Sequence, residues 1–125
     1  MSSWLSESQF EKLVAEIGFA PVPERFRALL SNVALIVEDE PRDGEPLLGL
    51  YQGVPQTQRA DGYGILSMPD TITLYRKPIL DEAAETGMSI QRVIRDTIWH
   101  EVAHHFGLDE DDVEERERRR GQITQ

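Results

Sequence analysis

Ser89-Ile90-Gln91-Arg92-Val93-Ile94-Arg95-Asp96-Thr97-Ile98-Trp99-His100-Glu101-Val102-Ala103-His104-His105-Phe106-Gly107 contains a helix start, a helix face and a helix stop in that order. Ser89 suits the N-cap, where its hydroxyl can accept a first-turn N–H that no carbonyl of the helix reaches. Ile90, Val93, Ile94, Ile98, Val102 and Phe106 recur at helical spacing and make one apolar stripe that a core must cover. Gly107 ends the run, because glycine leaves a helix through left-handed backbone at little cost.

Outward from this helix, Thr71 to Arg76 alternates with high β propensity, and Pro78 closes it, which predicts a strand at or near a sheet edge. Val33 to Val37 is apolar on both faces, the pattern of a central strand. Leu47 to Tyr51 reads as a short strand or a turn of helix within Asp39 to Asp70, an irregular stretch that holds four of the seven prolines and five of the nine glycines. At the N-terminal end, Ser6 and Gln9 form a capping box ahead of the stripe Phe10, Leu13, Val14 and Ile17, which Gly18 ends. Glu24 to Leu30 reads as a short amphipathic helix with Phe26, Leu29 and Leu30 on its buried side. Six of the seven residues Asp109 to Glu115 are acidic and four of the five residues Arg116 to Arg120 are basic, the polarity that suits the dipole of a last exposed helix. The fold class is therefore α+β, a small sheet packed against one long helix.

A chain of 125 residues suits a single domain over 1–125, with 121–125 as a loose tail. Thirteen basic against 23 acidic side chains give a formal charge of −10, which repels a nucleic-acid backbone and an anionic membrane surface alike. With no cysteine there is no disulfide and no thiolate ligand, so any metal must be held by His, Asp or Glu. The first residues lack the basic and apolar regions of a secretory signal, and the longest aliphatic run, Val33 to Val37, is only a strand's length. The expected location is cytoplasmic.

All three histidines lie between positions 100 and 105, on the best-signalled helix. His100-Glu101-Val102-Ala103-His104 has the HExxH spacing: an i, i+4 pair stacks both imidazoles on one helix face, about 5–6 Å apart at Cβ, within reach of one ion. Glu101 lies roughly 100° around the helix, near enough to touch a metal-bound water without being a ligand. Zinc is the expected metal, since imidazole suits it and a catalytic site leaves one position open. A chance pattern of polar surface residues is the plain alternative, but these residues interrupt an apolar helix, and burying two imidazoles and a carboxylate without a purpose is costly.

A third ligand is expected three residues beyond Gly107, at Glu110, with Asp109 and then Asp111 behind it. Asp109 also fits as N-cap of the last helix, and Glu114 or Glu115 could serve from further along. His105 is expected to pack beside Phe106 or bond the loop, Trp99 to pack on the far side of the helix, and Asp96, one turn before His100, to be an exposed helix residue, with orienting that imidazole as the alternative.

His100-Glu101-Val102-Ala103-His104-His105-Phe106-Gly107, together with Ile72-Thr73-Leu74-Tyr75-Arg76-Lys77-Pro78 and Leu48-Gly49-Leu50-Tyr51-Gln52-Gly53, resembles the small zincin-like metallopeptidase family of bacterial proteins, and the likeness spans nearly the whole chain. The resemblance implies a compact α+β zincin-like domain, zinc held by His100, His104 and a carboxylate after the glycine, and Glu101 as catalytic acid and base. The chain departs from metzincins: Glu110 stands where they place a third histidine, and no methionine follows residue 107. The resemblance does not supply a substrate.

The expected activity is zinc-dependent hydrolysis of a peptide or protein, with Tyr75, Tyr63 or His105 beside the oxyanion, the strand Thr71 to Arg76 as one wall of the cleft, and the loop Gly53 to Gly64 as the other. The same residues would also serve a non-catalytic metal-binding or interaction module, or a regulatory protease that cuts a single partner.

Overall fold

The structure is a computed structural model and describes residues 5–54 and 68–108. Helix α1 spans Glu7–Ile17 and opens with the expected capping box: the Gln9 N–H donates to Ser6 Oγ at 3.2 Å, and the Ser6 N–H donates to Gln9 Oε1 at 2.9 Å. Phe10, Val14 and Ile17 are buried, and Gly18 turns the chain out at a φ of 53°. Glu24–Leu30 is a 3-10 helix of which only Leu30 is buried; Leu29, expected inside, is 45% exposed.

Strands β1 (Val33–Glu38), β2 (Gly49–Gln52) and β3 (Asp70–Tyr75) form one sheet in the order β1-β3-β2, with β1 parallel and β2 antiparallel to β3. Two expectations reverse here. The strand expected at or near an edge, Thr71 to Arg76, is the middle one of three, and Val33 to Val37, expected to be central, lies at an edge among the described residues. Val33, Leu35 and Val37 share the helix-covered face with Ile72 and Leu74, whereas Ile36 on the other face is 39% exposed. An apolar run therefore does not by itself show that both faces are covered.

Pro78 does not close a strand; it lies in the first turn of α2, Arg76–Thr86, a helix absent from the sequence-based expectation. Proline fits there because the first N–H groups of a helix have no partner within it. Gly87 ends this helix in the left-handed region, at a φ of 76°. Arg76 ties the layers together: its Nε donates to Asp39 Oδ1 at 2.8 Å, and its Nη1 donates to the Leu5 carbonyl at 2.7 Å.

Helix α3, Ile90–His105, lies where the sequence places it, with Ser89 Oγ accepting the Arg92 N–H at 3.1 Å. Val93, Ile94, Ile98, Trp99 and Val102 are buried against Ile72, Leu74, Ile79 and the α1 stripe. The described residues thus show an α+β arrangement in which the sheet supports one face of α3 and leaves the opposite face to solvent. No described helix is long and apolar enough to cross a membrane.

Candidate metal centre

His100 and His104 project from the solvent side of α3, both exposed, with ring centroids 4.3 Å apart and planes inclined at 49°. The i, i+4 spacing has done what helical geometry requires and set two imidazoles side by side. Their exposure corrects one expectation: burial of the histidines is not what singles this site out. Only Glu101, between them in sequence, is partly buried.

Glu101 is held. Its Oε1 accepts the backbone N–H of Tyr51 at 3.1 Å, a bond from α3 to the edge strand β2. In β2 the alternation of an antiparallel pair directs the Leu50 backbone groups toward β3 and those of Tyr51 away from it, so this N–H lies on the side of β2 where no described strand pairs. Gly49 allows the approach: a Cβ there would lie 2.7 Å from Thr97 Cγ2 and 3.1 Å from the Thr73 carbonyl oxygen, too close for any side chain. A glycine between Leu48 and Leu50 is the sequence signal that could have revealed this contact.

A second set of contacts fixes the C-terminal end of the helix. The His105 ring stacks on that of Tyr51, with centroids 3.6 Å apart and planes 13° from parallel, and meets Phe106 edge-on at 4.8 Å. The Tyr51 hydroxyl donates to Asp70 Oδ2 at 2.8 Å, and Asp70 Oδ1 accepts the Val54 N–H at 2.8 Å. Packing, the expected role of His105, is what it does, although its main partner is Tyr51. Beyond it, Gly107 at a φ of 64° closes the helix: the Leu108 N–H donates to the Ala103 carbonyl at 2.9 Å and the Gly107 N–H to that of His104 at 3.3 Å, the paired bonds of a Schellman turn.

The remaining expected residues fall elsewhere. Trp99 is buried and stacks on Phe26, with centroids 6.1 Å apart. Asp96 lies one turn before His100 with Arg92 Nε 3.8 Å from its carboxylate. Tyr75 is on the sheet face away from Leu74, in a cavity shared with Glu38, Arg42 and Glu45; burial and then Glu38 push its hydroxyl pKa up. That position withdraws Tyr75 as an oxyanion group. Strand β3 is paired on both sides, so Thr71 to Arg76 offers no free edge to a peptide and is not a cleft wall. Glu110, Asp109, Asp111, Glu114, Glu115 and Tyr63, the last expected helix and most of the loop Gly53 to Gly64 lie outside the described residues. Among the described residues, no group of three His, Asp or Glu side chains comes together as a metal site.

A family model described as zincin-like metallopeptidase matches residues 30–120. The chain belongs to the zincin-like metallopeptidase family. The matched span takes in β1 to β3, α2 and α3, and leaves α1 outside it. No curated protein matches the chain. Membership of a zincin-like family implies a zinc site, and the donor set on α3 fits one: two adjacent, exposed imidazoles, with Glu101 next to His100 in the sequence.

Proposed function

We propose that the protein is a zinc metallopeptidase in which His100 and His104 hold the metal, a carboxylate after Gly107 completes the protein ligands, and Glu101 is the general base. Glu110 is our choice for that carboxylate. The observation that carries this reading is the position of Glu101: it follows His100 directly and precedes His104 by three residues, and its carboxylate reaches back to β2, where the Tyr51 N–H holds it. When bound, zinc would acidify a water and polarise a carbonyl, the chemistry common to such sites.

The chain's own residues supply the rest. Tyr51 orients Glu101 through one carboxylate oxygen and leaves the other to take a proton from the attacking water. Glu101 then gives that proton to the departing amine, so each turnover returns it to the carboxylate. The Tyr51–His105 stack holds β2 against the end of α3 and so limits drift of this pair. Among the described residues no strand pairs with β2 on the side away from β3, and an extended substrate lies along that side instead of on β3.

Hydrolysis of a mixed set of fluorogenic peptides tests the proposal, with zinc content measured on the same samples. Wild type should cleave, and Glu101→Gln should keep its zinc and lose activity by about 100-fold or more. Equal hydrolysis by both proteins would remove Glu101 from its role. Zinc binding without hydrolysis by either would favour a non-catalytic metal module, or a protease confined to one partner protein.

A further inference from the structure

Beside His100 and Glu101 opens a cavity of about 360 Å³, walled by Leu47, Leu48, Met88 and Val93. Among the described residues its charged lining, apart from Glu101, comes from Glu82 on α2 and Asp96 on α3. Both are partly buried. Arg92 stands 3.8 Å from the Asp96 carboxylate, but the Glu82 carboxylate has no ion pair or hydrogen bond among the described residues.

This lining discriminates between occupants. A wholly apolar side chain would strip water from two carboxylates and return nothing. An acidic one would meet like charge. A lysine or arginine satisfies both halves of the cavity: its methylene stem lies on Leu47, Met88 and Val93, while its cationic tip reaches Glu82 and Asp96 in charge-assisted hydrogen bonds. The volume is at the small end of ligand sites, as suits one long side chain.

We infer that this cavity is a specificity pocket, and that it selects a lysine or arginine next to the bond to be cut. The inference rests on the peptidase reading and deepens it by naming a substrate class. Glu82 is the specificity-determining residue, since it is the pocket carboxylate that no cation among the described residues accompanies.

Three fluorogenic peptides, identical except for lysine, leucine or glutamate at one position beside the scissile bond, test it with the full-length zinc-loaded protein. The lysine peptide should be cleaved with a kcat/KM at least about tenfold above that of the leucine peptide, the worth of one partly screened charge-assisted bond. Glu82→Gln should erase most of that preference, and Glu82→Lys should shift it toward the glutamate peptide. A thermal melt of each variant confirms that it is folded.

Binding of the same peptides to zinc-loaded Glu101→Gln, followed by fluorescence anisotropy, separates the two claims. If wild type cleaves nothing yet Glu101→Gln binds the lysine peptide most tightly, and adding Glu82→Gln abolishes the difference, the pocket stands and the peptidase reading fails. Cleavage that ignores the varied residue, or a ranking that Glu82→Gln and Glu82→Lys leave unchanged, overturns the pocket while hydrolysis survives. Absence of both cleavage and residue-dependent binding overturns both.

Discussion

The backbone N–H of Tyr51 donates to Oε1 of Glu101 at 3.1 Å and joins strand β2 to the helix that carries both exposed imidazoles. A main-chain donor cannot be removed by changing its own side chain, so the bond depends on how closely β2 approaches α3. Gly49 permits that approach, because a Cβ there would lie 2.7 Å from Thr97 Cγ2.

Gly49→Ala should therefore destabilise the fold by about 1–3 kcal/mol, the usual cost of forcing a methyl group into filled space. Thr97 cannot turn aside freely, because it is buried and its hydroxyl donates to the Val93 carbonyl at 2.7 Å. Adding Thr97→Ser removes the Cγ2 methyl and should recover part of the loss, although the Thr73 carbonyl contact remains. Urea denaturation of the single and double variants checks this; equal midpoints for wild type and Gly49→Ala would show that the strand yields without cost.

Gly107→Ala isolates a different effect. A Cβ at this position would meet nothing within 4 Å, yet the backbone φ is +64°, so the cost is conformational alone and should be about 1 kcal/mol. A fall of several kcal/mol in the same denaturation experiment would mean that the turn does more than end α3.

The acid side of the stability profile should bear the mark of Asp39. The Arg76 guanidinium bonded to it holds its carboxyl below the ordinary value of 3.8. The folded chain thus keeps this group charged at pH values where the unfolded chain takes up a proton. Its contribution is complete above the unfolded pKa and is lost as pH falls through the lower folded one, so stability should decline with acidification below about pH 4. Asp39→Asn should make that decline shallower in melts recorded from pH 5 to 2. An identical acid limb in the variant would assign the loss to other carboxylates.

Local signals in the sequence proved sufficient wherever one residue type determines one local structure. The Ser6–Gln9 box, the Ser89 cap, the α3 stripe and the Gly107 stop each depend on contacts within a few residues, and each is where the pattern puts it. Strand order was not legible. Whether Thr71 to Arg76 lies in the middle or at an edge depends on β1 and β2 pairing with it from both sides, a long-range outcome that alternation cannot encode. Pro78 misled for a related reason: a proline can end a strand or open a helix, and the residues C-terminal to it decide which. Within the site, the His100–His104 pair follows from spacing alone, whereas the roles of Tyr51 and Asp70 needed the chain to be folded before they could be seen.

The most direct test is zinc stoichiometry after dialysis of wild type, His100→Ala, His104→Ala and Glu101→Gln, paired with thermal melts before and after chelation. Wild type and Glu101→Gln should each retain about one zinc ion per chain and melt at lower temperature once it is removed; the two histidine variants should retain almost none and be insensitive to chelator. Zinc-replete wild type that holds no metal, or histidine variants that hold as much as wild type, would contradict a metal centre on α3.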